Sequence, residues 1–229
     1  MAIIIIVTLL SEILINLLAF LFLAKSEPEP ACKTKVDVGF VLDSSGSLRE
    51  DYGREKDFLK SLAATFGVSD TNSRAGVVTF SHNSKHSIKL NDHTSLAPFN
   101  EAVDKIALMG STTRIDRALR TTQKEMFTAR NGARPGVNKL LVVLTDGSQT
   151  QDSGAEDPGL VADELRKEGV RILVIGIGKT INATELAHIA GDKSNLFTAS
   201  TFDELVGRPF LKTVNSAGCV AGENYFILF

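Results

Sequence analysis

The apolar positions divide the chain into short strands separated by amphipathic helices. Val36–Asp43 (VDVGFVLD), Arg74–Ser81 (RAGVVTFS), Lys139–Thr145 (KLLVVLT) and Val170–Gly178 (VRILVIGIG) are largely apolar runs rich in β-branched residues, the pattern of strands covered on both faces. His86–Leu90 (HSIKL) alternates instead, as a short strand near a sheet edge does, and Asn195–Ala199 reads as a last strand. Helices are predicted over Leu48–Phe66, with Tyr52, Leu59, Leu62 and Phe66 on one core-facing stripe, and over Leu96–Leu108. Further helices run from Thr113 to about Ala129 and over Gly159–Glu168, Thr184–Ala190 and Phe202–Val214, while Asn131–Gly136 is a loop by its Gly and Pro content. Strands alternating with helices predict an α/β fold, a doubly wound and mostly parallel central sheet with helices on both faces. Right-handed crossovers then bring the carboxyl ends of the first strand and of Lys139–Thr145 to one rim, where ligands of open α/β sheets gather.

That rim carries the candidate chemistry. The first strand ends in Asp43-Ser44-Ser45-Gly46-Ser47, so Asp43, Ser45 and Ser47 offer only oxygen at alternate positions. Lys139–Thr145 ends in Asp146-Gly147, and Met109–Leu119 (MGSTTRIDRAL) opens a helix with hydroxyl-bearing residues. A hard divalent ion such as Mg²⁺ takes near-octahedral oxygen ligands at about 2.0–2.1 Å and accepts only one or two protein carboxylates, which this set supplies. Each piece alone has an ordinary reading: Ser45, Ser47 or Thr113 as a helix cap and Asp146-Gly147 as a turn.

Taken together, Asp-x-Ser-x-Ser at 43–47, Thr113 five residues before the Ala118-Leu119 pair, and Thr145-Asp146-Gly147 resemble a von Willebrand factor type A domain with its metal-ion-dependent adhesion site. The resemblance covers roughly Lys35–Ala217 and is to the extracellular-matrix type found in matrilins and collagen VI. It implies a Rossmann-like fold and a site of Asp43, Ser45, Ser47, Thr113 and Asp146, with the hydroxyls bound directly and the carboxylates mainly through water. The implied cofactor is Mg²⁺, with Mn²⁺ or Ca²⁺ as alternatives. The implied partner is an extracellular protein, collagen or another matrix component, whose Asp or Glu completes the coordination. Some relatives couple ligand engagement to a shift of the last helix, here Phe202–Val214.

Residues 1–24 are apolar except for a few positions such as Glu12 and Asn16, which reads as a cleaved secretory leader. The run is also long enough for an uncleaved membrane anchor. Either way the domain, taken as 35–219 after a short linker at 25–34 and before a tail at 220–229, is expected outside the cytosol, secreted or in the extracellular matrix. Cys32 and Cys219 are the two cysteines and bracket the domain. In an oxidising compartment such a pair is most simply an internal disulfide, worth about 5 kcal/mol in the chain-entropy account, with bonds to other chains as the alternative; an internal bridge would restrain the last helix. Asn182-Ala183-Thr184 is an N-glycosylation acceptor, although Thr184 reads equally as a helix cap. His82, His86, His93 and His188 lack metal-ligand spacing and read as surface or loop residues.

A formal charge of −2 gives no drive toward nucleic acid. An enzyme of the haloacid-dehalogenase type needs a second acid two residues after its aspartate, where this chain has Ser45, and Gly176 and Gly178 are too few for a phosphate loop. Neither is there a nucleophile and base pair near Asp146. The expected function is adhesion through a metal ion; the alternative is a structural or polymerising matrix module whose metal site is idle.

Overall fold

The computed structural model describes residues 35–179, 181–205 and 208–219; the leader, the linker with Cys32, and the tail lie outside them. Among the described residues the strands form one six-stranded sheet in the order β3-β2-β1-β4-β5-β6. β1 (Val36–Asp43), β2 (Arg74–Phe80), β4 (Asn138–Thr145), β5 (Val170–Ile177) and β6 (Leu196–Ala199) are parallel, and the edge strand β3 (Ser84–Ile88) is antiparallel to β2 with a bulge at Val77/Val78.

The continuous apolar runs are explained by cover on both faces. Val36, Val38, Phe40 and Leu42 point into one core with α1 (Tyr52–Thr65), α2 (Leu96–Asp104) and the last helix, through Phe58, Leu62, Phe99 and Val214. Val41, Val143 and Val174 face the other core with α3 (Ile115–Thr121), α4 (Pro158–Lys167) and α5 (Ala183–Ala190), through Ile115, Leu119, Leu165 and Ile189. Every residue of β1 is buried, polar Asp37 and Asp43 included. The chain leaves β1 to pair β2 on one side and later returns to pair β4 on the other. The crevice between the carboxyl ends of β1 and β4 is therefore the topological switch point of the sheet.

Three helices differ from the sequence expectation. The first is split into a 3₁₀ turn, Gly46–Arg49, and α1 from Tyr52, because the segment after Asp43 is held by other loops before it can coil. The expected Thr113–Ala129 helix starts only at Ile115 and after Thr121 widens into a π turn over Thr122–Met126. This turn drops Met126 onto the paired glycines Gly39 and Gly76 in the middle of the sheet. A Cβ on Gly76 would lie 2.7 Å from Met126 Sδ, so the sheet needs a bare backbone there. The terminal helix, described over α6 (Phe202–Leu205) and α7 (Arg208–Cys219), runs past its expected end at Val214 to Cys219. The histidine expectation also fails at one place. His86 lies on β3 with its side chain only 3% exposed, 3.5 Å from Glu125, and burial holds its pKa below the usual value against the pull of Glu125. Among the described residues no helix is long and apolar enough to cross a membrane.

Candidate metal centre

Asp43 ends β1 with no exposed surface. Its Oδ1 accepts the Ser45 amide at 2.8 Å and its Oδ2 accepts the Thr145 hydroxyl at 2.6 Å. Ser45 is extended, φ −72° and ψ 169°, and makes no capping bond to the 3₁₀ turn that follows it. Its hydroxyl is thus not spent on a helix end; it lies 3.0 Å from Ser47 Oγ, and the Ser47 hydroxyl donates to Asp146 Oδ1 at 2.9 Å. Thr113 is not a cap either, since α3 starts two residues later and Arg114 stands at its N-cap. A methyl group placed on Gly147 would lie 3.5 Å from Thr113 Oγ1, which puts that hydroxyl against the Asp146-Gly147 turn. Exposure runs from Asp43 and Ser45 at 0% and 1% to Thr113 at 9%, with Asp146 half-buried and Ser47 exposed. The five oxygen-bearing side chains therefore meet at one opening of the rim.

The loops that carry them are stitched to one another. Ser44 N–H donates to Phe80 O, Gly46 N–H to Ser111 O and Gly110 N–H to Ser44 O, at 2.6–2.8 Å. Thr113 O accepts Thr150 N–H at 2.7 Å, and Thr113 N–H donates to Thr150 Oγ1 at 3.1 Å. Beneath them lies a charged clasp that the sequence reading missed. The Arg114 guanidinium, 1% exposed, binds both oxygens of Asp116 at 2.8 and 2.6 Å and also bonds Asp152 and Gly154 O. Asp116 further accepts from Gln149 Nε2 at 2.7 Å and Glu156 N–H at 3.0 Å. Burial alone pushes Asp116 up, but Arg114 and these hydrogen bonds outweigh it and hold its carboxyl down at about 2. The clasp fixes Thr113 and the Asp146 loop to each other.

At the ligands themselves the electrostatics have the opposite sign. Burial, with the like charge of Asp146 beside it, lifts Asp43 to about 6 despite its hydrogen bonds from Thr145 and Ser45; burial lifts Asp146 as well. Glu55, on the core face of α1, is wholly buried, and burial and the charges of Asp43 and Asp146 push it well up against a hydrogen bond from the Asp43 backbone. Burial thus raises all three acids of this region, and Asp43 and Glu55 also feel the like charge of Asp146.

The donor set fits a hard divalent ion. Among the described residues no group of three or more His, Cys, Asp or Glu is placed to hold a metal, so any ion here relies on hydroxyls and two carboxylates. Adjacent corners of an octahedron drawn about 2.1 Å from its centre lie about 3.0 Å apart. The Ser45–Ser47 and Ser47–Asp146 separations, 3.0 and 2.9 Å, match that edge.

The fold and this corner define the class: residues 37–209 match the model of the von Willebrand factor type A domain, and the chain belongs to that family. Among its relatives are the collagen alpha-6(VI) chain of Mus musculus, 37% identical over 77% of this chain and 8% of that one, and von Willebrand factor A domain-containing protein 2 of Xenopus laevis, 32% identical over 74% and 21%. The solved proximal thread matrix protein 1 of the mussel byssus superposes with a TM-score of 0.76 at 29% identity, covering 82% of this chain and 49% of that one. The same mussel protein has been solved with zinc in its metal-ion-dependent site. The chain spans less than a quarter of either curated relative and about half of the mussel protein.

Asn182 is exposed and is itself the N-cap of α5, its side-chain oxygen accepting Glu185 N–H at 3.2 Å. The cap is therefore Asn182 and not Thr184. A glycan on the amide nitrogen would leave that oxygen in place. The Cys32–Cys219 pairing involves a residue outside the described set and stays a proposal.

Proposed function

We propose that the chain is an exported adhesion or matrix module that binds a protein partner through a Mg²⁺ ion held by Asp43, Ser45, Ser47, Thr113 and Asp146. When bound, the ion supplies a Lewis-acidic position for an Asp or Glu of that partner. The observation that carries this reading is a fully buried Asp43 whose pKa is raised by burial and a neighbouring acid, beside the Ser45 and Ser47 hydroxyls 3.0 Å apart and Ser47 2.9 Å from an Asp146 carboxylate oxygen. Ser47 and Asp146 lie toward solvent, which leaves a face from which a partner carboxylate can approach. The kinship with collagen VI chains and a byssal matrix protein supports a matrix setting and fits export by the leader at 1–24. Catalysis is disfavoured because, among the described residues, we identify no nucleophile with a paired general base at the rim.

Solid-phase binding to a panel of matrix proteins in Mg²⁺ and in EDTA, with Asp43→Ala alongside, tests the proposal. Binding that needs Mg²⁺ and is lost in the variant is expected. Binding indifferent to both would favour a structural module with an idle metal site.

A further inference from the structure

We infer that the cavity beside the metal rim is a side-chain pocket for the same partner, an acidic segment that seats a large apolar residue there while its carboxylate meets the ion. This rests on the function proposed above. The cavity has a volume of about 510 Å³, within the usual range for ligand sites. Its apolar lining comes from Ile88 at the sheet edge and from Ala102, Ile106, Leu108 and Met109 in and after α2. Lys85, Lys105 and His93 supply its charged and polar rim, and no Asp or Glu lines it. In a chain of net charge −2 that is a local excess of cations, complementary to the acidic segment the ion requires. Met109 is 39% exposed, one of two large hydrophobic side chains left exposed among the described residues. The larger concavity on the other side of α3 lacks this character. Arg120 there is already bonded to Glu156 and Glu164, and Arg114 to Asp116.

The pocket wall and the metal loop form one unit. Met109 N–H donates to Ser44 Oγ at 2.7 Å, between the ligand residues Asp43 and Ser45, and Gly110 N–H donates to Ser44 O at 2.8 Å. Met109 precedes Thr113 by four residues, a span of at most about 14 Å. An extended partner rising about 3.3 Å per residue crosses that distance in about four residues, with side chains of one face at every second position. The partner signature is thus an Asp or Glu with a large apolar residue two or four positions away.

The test is selection of a displayed random dodecapeptide library on the full chain in Mg²⁺, followed by anisotropy titration of a synthetic copy of an enriched peptide. The expected result is enrichment of Asp or Glu with Phe, Leu or Met at that spacing. Met109→Ser, which alters a part-exposed side chain and keeps the Ser44 bond, should weaken the peptide about tenfold while calorimetric Mg²⁺ affinity is unchanged. Lys85→Glu with Lys105→Glu should weaken it similarly. Enriched acids without a fixed apolar neighbour, or a Met109→Ser variant that binds as the parent does, would overturn the pocket and leave the metal reading intact. Peptides that bind equally in EDTA, without acidic enrichment, would overturn both.

Discussion

Asp37 and Asp43 lie six residues apart on the same face of β1, and both are completely buried. At the amino end of the strand, Asp37 Oδ1 accepts Arg134 Nε at 2.8 Å and Oδ2 accepts the Arg134 amide at 2.7 Å. The same guanidinium goes on to Asn72 O and Val36 O, so charge and lone pairs are both answered from within the chain. At the carboxyl end, Asp43 has only the uncharged donors Ser45 N–H and Thr145 O–H, and its charged neighbours Asp146 and Glu55 are acids. A buried carboxylate is costly unless paired. One rim of the sheet therefore finishes its acid with an arginine as a matter of folding, while at the other Asp43 meets uncharged donors and other acids, where the proposed cation would sit.

The comparison can be broken most severely at Arg134. Arg134→Leu leaves Asp37 buried without its partner and should cost about 3–5 kcal/mol, read as a lower urea midpoint equal in Mg²⁺ and EDTA. Asp43→Ala should behave in reverse. Stability in EDTA holds or rises, while calorimetric Mg²⁺ affinity falls at least about a hundredfold, beyond the tenfold to hundredfold typical of losing a supporting residue. Glu55→Leu removes a buried carboxyl that burial and two neighbouring acids destabilise in its charged form and should raise stability in EDTA by about 1–3 kcal/mol, read as a higher melting temperature; an unchanged or lower melting point would show that its hydrogen bond from the Asp43 backbone outweighs that burial.

The smallest effect is in pH. The folded value of Asp43, about 6, lies above its ordinary 3.8. Its carboxyl therefore favours the metal-free fold below pH 3.8, and that contribution is lost as pH rises through about 6. A cation needs the ionised form, so the gain in melting temperature from Mg²⁺ should be small at pH 5, grow through pH 6 and level off by pH 7.5. Asp43→Asn should flatten that profile.

Only the Asp43 half of this contrast was legible in the sequence, because it follows from short patterns, whereas the Asp37–Arg134 pair joins residues 97 positions apart. The apolar runs ending at Asp43 and Asp146 identified two central strands, and alternate oxygens at Asp43, Ser45 and Ser47 marked the corner. What escaped was long-range or hidden in a regular pattern. The Arg114–Asp116–Gln149 clasp joins residues more than thirty positions apart in part, and no local spacing announces it. Glu55 falls on the same stripe as Tyr52, Leu59 and Leu62, so a reading of periodicity counted the face as core without noticing the acid. The π turn that seats Met126 on Gly39 and Gly76 adds residues to a helix without changing its apolar count. His86, which its spacing places among surface or loop residues, has its ring covered by Glu125 and the chain around it.

The two margins of the sheet carry one more consequence. On one side stands β3, five residues long, bulged against its neighbour and bearing Lys85; on the other stands β6, four residues long. Short, irregular and charged margins are poor templates for another chain's backbone. Many copies of this domain crowded into one fibre would therefore resist fusing into continuous cross-β aggregates, and would meet instead through side chains and bound ions.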